Sequence, residues 1–275
     1  MGRDEVMTMR YSTADVQFLA RVIGGTPEAA AAYARAWQVD PERIEPWLDD
    51  DRVLRQLMAD TSSVLEVSPR FLFTILLRRI RRDLAAIPYT VERIEPDGRL
   101  VVFDAPVVHD LLRADEMFQY LVNLLVSFER IETVTVQGAR RSAARRLNTF
   151  NMDDMVELAG LVDAPLRPII CRRIGDIALF VTGVFQEALR RAARRPLDSP
   201  FARTFAGRWR RIEDYEADGR RFYRIAADQL RDAQPDLARV LDRLSGDFTI
   251  ARKPLAVLAE RYVTWARPHW GGGPS

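Results

Sequence analysis

Cysteine occurs once in this chain, at Cys171, and a single thiol cannot build a disulfide framework. The expectation is a reducing, cytoplasmic compartment. Histidine occurs twice, at His109 and His269. A zinc centre takes about four nitrogen or sulfur ligands at close spacing, so these three residues assemble none, and neither a metal nor another cofactor is expected. Asp153-Asp154 is the nearest approach to a carboxylate metal site. Neighbours on a helix diverge by about 100°, which favours a role at a helix start. Lysine occurs once among 41 basic residues, at Lys253, and Pro254 follows it. That excludes the Gly-Lys-Ser/Thr end of a P-loop. No G-x-G-x-x-G follows a strand pattern, and G-x-S-x-G and H-E-x-x-H are missing.

Long apolar runs are missing too. The longest stretch without a charge is Met117–Phe128, short of the roughly 18–20 residues a bilayer span needs, so no membrane association is expected. Arg3, Asp4 and Glu5 open the chain without an early apolar region, and no secretory signal is expected.

What remains is ample core material: 275 residues, 48% hydrophobic and 29% charged, the balance of a globular protein. The other 40 basic residues are arginines, a bias that codon usage in a GC-rich genome explains as well as selection for bidentate anion contacts. Charge is uneven along the chain. Residues 138–211 hold 15 Arg against 7 Asp/Glu, a net of +8, whereas residues 1–60 hold 7 against 11, a net of −4.

Apolar spacing predicts a mainly α, multi-helical bundle of about ten helices. It is accompanied by a small antiparallel β-hairpin or three-stranded sheet near residues 88–136. Thr13 is the expected cap of a first helix that Gly24-Gly25 stops, and Thr26-Pro27 starts the next. The two segments around Gln38-Val39-Asp40 have helix-turn-helix length. The second carries Glu42, Glu45, Asp49 and Asp50 against one Arg43, unsuited to a phosphate backbone, so a structural subdomain is expected. Ser68-Pro69 opens a helix over 69–86 whose Arg78, Arg79, Arg81 and Arg82 suit its C-terminal dipole. Two β-rich runs flank Pro96-Asp97-Gly98 as a hairpin, and Ile131–Val136 is a candidate third strand. Helices are expected to start at Asp110 or Asp115, at Asn151 and at Asp198, and over 213–233, 236–245 and 254–266. Arg167–Arg195 reads as one long central helix burying Ile174, Ile177, Ala178, Val181, Phe185, Ala188 and Leu189. Division into a subdomain 1–137 and a bundle 138–275 around helix 174–190 is one organisation, and a single domain the other.

For function, the leading expectation is a non-enzymatic interaction or regulatory protein acting through helical surfaces, with a protein partner or a homo-oligomer. The alternative is a nucleic-acid binder contacting phosphates through Arg140, Arg141, Arg145, Arg146, Arg190, Arg191, Arg194 and Arg195. A third reading is an enzyme with a cleft between the halves, for which His109, beside Asp110 in a connecting segment, is the acid–base candidate. No catalytic constellation is recognised, and Cys171 reads as a core thiol despite Arg172 and Arg173 beside it.

Overall fold

The computed structural model describes residues 11–59, 61–94, 98–129, 133–136, 145–149, 151–194 and 211–263, and the structural statements below concern these. The chain is mainly helical with small antiparallel strand pairs. It divides into two compact units, one ending at Ala86 and one spanning Ile87–Trp265.

The first unit contains α1 (Thr13–Gly24), α2 (Pro27–Val39), a 3₁₀ segment (Pro41–Asp49), α3 (Asp51–Ala59), α4 (Thr61–Leu65) and α5 (Pro69–Ala85). Ser12, one residue before the expected Thr13, caps α1. Its hydroxyl accepts from Asp15 N while Asp15 accepts from Ser12 N. The fully buried Asp15 also accepts from the backbone N (2.6 Å) and hydroxyl (2.7 Å) of Ser68, the cap of α5. One carboxylate therefore ties two helix N-termini together and satisfies donors that a helix cannot satisfy internally. Gly25 ends α1 in the left-handed region at φ 72°, and a Cβ on Gly24 would lie 2.6 Å from Ala30 N, so both glycines are needed for the tight turn into α2. Phe18, Leu19, Trp37, Leu57, Phe71 and Ile75 form the core. The arginines of α5 do more than offset its dipole. Arg78 pairs with Glu45 (2.8 Å), and Arg79 with Asp51 (2.8 Å) and Asp83 (2.9 Å), so the acids of 45–51 face cations within the unit.

The second unit contains β1 (Thr90–Ile94), β2 (Gly98–Val102), α6 (Ala105–Arg113), α7 (Asp115–Ser127), β3 (Thr133–Val136), β4 (Arg145–Asn148), α8 (Met152–Leu161), α9 (Arg167–Val184), α10 (Gln186–Arg194), α11 (Ile212–Leu230), α12 (Pro235–Gly246) and α13 (Phe248–Leu258). A π-helical turn, Ala259–Val263, follows α13. β1 and β2 are the expected hairpin, with Val91 opposite Val101. The third strand exists but does not join it. β3 pairs with β4 (Arg145–Asn148) and not with the β1–β2 hairpin, so the sheet is not three-stranded. The helix expected at Asp198 lies outside the described residues.

The long central helix is two helices. α9 ends at Val184, Phe185 leaves the helical region at φ −109°, ψ 26°, and α10 begins at Gln186. The break seats the Phe185 ring edge-on to Phe180 (5.5 Å), which stacks flat on Phe128 (4.1 Å) under the Arg173 guanidinium. Ile174, Ile177, Ala178, Val181 and Leu189 are buried as expected, with Phe185 and Ala188 half-buried. α9 packs most extensively on α11, and also on α8 and α13. Gly219 makes the close crossing feasible: a Cβ there would meet Phe248 at 2.4 Å and Ala178 at 2.9 Å. Charged residues of α11 pair with neighbouring helices. Arg224 reaches Asp242 on α12 (2.7 Å), and Glu216 reaches Arg252 on α13 (3.2 Å).

Candidate interaction surfaces and the polar clusters behind them

Strand alternation sends successive side chains to opposite faces, and an antiparallel pair ordinarily turns its apolar face inward. In this hairpin the inward face carries the polar Thr90 and Glu92 beside their cross-strand partners Val102 and Leu100, and Lys253 holds both polar residues. The lysine lies on α13 with its side chain only 7% exposed. Its ammonium meets Glu92 Oε1 at 2.5 Å, Asp104 at the start of α6, and the Thr90 hydroxyl at 3.3 Å. Thr90 donates in turn to Asp104 Oδ1 at 2.6 Å. A buried ammonium is tolerated only with such partners, and a compact charge with three donors suits three acceptors better than a planar guanidinium does. Arg252 beside it reaches Glu216 (3.2 Å) and Glu92 (4.0 Å), and Thr249 links Glu216 to Arg220. Thr90 and Glu92 are therefore the inward residues of β1. Val91 and Val101 face outward, with Tyr89 and Phe103 touching edge-to-face at 6.2 Å beside them, and all four are exposed. Val107, in the first turn of α6, is exposed as well.

A second apolar surface lies where α8 turns into α9. Leu161, Leu166 and Ile169 are all more than half exposed on a corner closed by Leu166 N to Asp163 O (3.0 Å) and Arg167 N to Ala164 O (3.3 Å). In the first unit, α1 and α2 border an open groove of about 600 Å³, floored by Ala20, Ala30 and Ala34 and flanked by Arg21 and Arg35.

The most strongly perturbed titratable groups are two phenols that converge on α9. Asp176, almost fully buried, accepts from the phenols of Tyr120 (2.6 Å, from α7) and Tyr223 (2.8 Å, from α11), with Arg172 Nε 3.6 Å from its second oxygen. Burial first, and the Asp176 charge second, push both phenols well above the usual tyrosine range. Clusters of this kind sometimes mark active sites. Here the phenols stay protonated and their donors are spent on Asp176, so the cluster ties three helices together. The signal in the sequence was one acid in the middle of an apolar helix.

The other candidates are placed as follows. His109 lies within α6, which begins at Ala105, and not in the connection; its Nδ1 is 3.7 Å from Asp110. Asp153 and Asp154 occupy the first turn of α8. The Asn151 side chain accepts from both their backbone nitrogens, and Asp154 accepts from Asn148 N at 2.8 Å. Among the described residues no group of three or more His, Cys, Asp or Glu could hold a metal ion, and no helix is long and apolar enough to cross a membrane. Cys171 is buried, and burial pushes its thiol up against the smaller opposing pull of Arg167 and Arg221. Of the arginine set, Arg145 and Arg146 lie on β4, and Arg190, Arg191 and Arg194 on α10, with Arg190 half-buried. Arg140, Arg141 and Arg195 lie outside the described residues. Arg172 and Arg173 are engaged within the chain, on Asp176 and on Phe128.

No protein-family model, no curated protein and no solved structure matches the chain.

Proposed function

We propose that this chain is a non-enzymatic, cytosolic interaction or regulatory protein that binds a partner protein through a helical surface. The α8–α9 corner carries the reading. Single exposed apolar residues need no explanation, but adjacent large ones on an ordered corner mark contact surfaces. Pro165 and Pro168 flank Leu166, and their fixed φ restricts the corner before any partner arrives, which lowers the ordering cost of association. The lone thiol, buried at Cys171, supports the reducing compartment. A partner would present a complementary apolar face with a polar rim to meet Asp163 and Arg167.

The test is quantitative affinity capture with the full chain and with a Leu166→Asp/Ile169→Asp variant of unchanged melting temperature. Proteins retained by the native chain should lose on the order of a hundredfold in affinity with the variant, as expected for central apolar contacts. Equal retention by both chains refutes the reading. The counter-test is titration with nucleic acid at low salt. Binding abolished by alanine at Arg140, Arg141, Arg145 and Arg146 would put the arginine reading in its place.

A further inference from the structure

We infer that Lys253 is a gated acylation site, whose amine meets an activated acyl group only when the β1–β2 hairpin swings off α13. This goes beyond the proposed function, and the α8–α9 corner takes no part in it. The chain has one lysine, so one side-chain amine is open to reagents that acylate nitrogen. Its 40 arginines stay protonated and offer none. In the closed fold that amine is shut in. Positions 251–255 of α13 are all buried. Glu92, Asp104 and Thr90 supply an acceptor for each of the three N–H donors of the ammonium. Acylation requires an unshared electron pair on nitrogen and room for a carbonyl to approach it, and the closed cage gives neither.

The cover is lightly held. Across residues 89–92 and 98–103 only Thr90 is buried, while Val91, Leu100 and Val101 are each 48% exposed and Phe103 is 77% exposed. Among the described residues, the two strands pack extensively on each other and on no helix. An isolated two-stranded hairpin is marginal in water, so the polar link from Thr90 and Glu92 to Lys253 is what fixes this one to α13. Arg252, the other cation near Glu92, stands off at 4.0 Å. Segments with few buried apolar contacts open at a lower free energy than the whole unit. Opening carries Thr90 and Glu92 away, while Asp104 stays at the start of α6. The amine is then bounded by one carboxylate and is free on the side that the strand covered.

In the open state one ammonium proton passes to solvent and the nitrogen attacks the acyl carbonyl. The C–N bond forms, and the bond from the carbonyl carbon to its leaving group breaks. The leaving group takes that electron pair and the second nitrogen proton. The product is a neutral amide with a single N–H, which cannot serve Glu92, Asp104 and Thr90 together. Reclosing would bury Asp104 without its cation. Acylation therefore holds the hairpin off and turns a transient opening into a lasting one.

The test is labelling of the full native chain with N-hydroxysuccinimidyl acetate, read by peptide mapping at position 253. Arg231→Lys, at a side chain 67% exposed just past α11, supplies a reference amine under the same conditions. Lys253 should react at least about a hundredfold more slowly than that reference, and Glu92→Gln should speed it by about tenfold. The Lys253 rate in the native chain should respond only weakly to low denaturant, because local opening exposes little surface. In the isolated acylated chain, amide hydrogen exchange should accelerate in β1 and β2 and not in α11. Labelling as fast as the reference amine, a rate that follows the full denaturant dependence of global unfolding, or unchanged hairpin exchange after acylation would overturn the inference.

Discussion

Replacing Lys253 with methionine keeps most of the side-chain volume on α13 and removes the charge on which the hairpin is anchored. The native ammonium serves Glu92, Asp104 and Thr90 together. After the change Glu92 retains Arg252 at 4.0 Å and part of its solvent exposure, whereas Asp104, whose side chain is only 15% exposed, keeps just the Thr90 hydroxyl. Breaking a buried pair by removing one partner costs about 3–5 kcal/mol, mostly because the other charge is left uncompensated. The partial exposure of Glu92 places the estimate at the lower end, about 3 kcal/mol. For a unit of this size that is roughly a 6–12 °C drop in melting temperature, at 2–4 °C per kcal/mol. Thermal unfolding and amide hydrogen exchange of β1 and β2 are the two readouts, and exchange in the hairpin should accelerate more than in α11. Adding Asp104→Asn to Lys253→Met should recover a large part of the loss, because a neutral amide tolerates burial beside Thr90 better than a lone carboxylate does. A cost below about 1 kcal/mol, or no recovery in the double variant, would refute the account of how Lys253 anchors the hairpin.

Two further outcomes follow from the interior. Both Tyr120 and Tyr223 have phenols raised above their unfolded value, so their contribution to stability is complete below about pH 10 and is lost as pH rises through the folded value. Stability followed by denaturant titration should therefore fall above that pH, and Tyr120→Phe/Tyr223→Phe should be less stable at pH 7 yet flatter above pH 10; equal alkaline slopes would contradict the argument. Gly219→Ala places a Cβ 2.4 Å from Phe248 and should cost about 1–3 kcal/mol by overpacking, whereas Gly160→Ala meets nothing within 4 Å and should gain up to about 1 kcal/mol. Chemical denaturation compares the two directly, and equal signs would show that the α9–α11 approach is looser than described.

Much of the helical framework was legible because its signals are local. Thr26-Pro27, Ser68-Pro69 and Asn151 each start a helix through hydrogen bonds or a fixed φ spanning three or four residues. Gly25 ends one through its own backbone conformation. The central stretch was legible in its buried residues but not in its continuity, since the break at Phe185 answers to Phe180 and Phe128, the latter nearly sixty residues earlier in the chain. Strand 133–136 was legible and its partner was not, because the alternation of one strand does not say which other strand it pairs with.

The candidate surfaces show the same division more sharply. Alternation along Thr90–Ile94 and Gly98–Val102 specifies a hairpin with two unlike faces, and nothing within those residues says which face is buried. Lys253, 163 residues from Thr90, decides it, because a buried ammonium requires the acceptors that Glu92 and Thr90 supply. The arginine pairs were conspicuous in sequence, yet Arg172 and Arg173 are held by Asp176 and Phe128, and Arg78 and Arg79 by acids of their own unit. Composition, caps, turns and helical period belong to the sequence alone because their physics acts within a few residues. Which charge is neutralised, which apolar face is left outside and where a long helix breaks depend on groups brought together only by the folded chain.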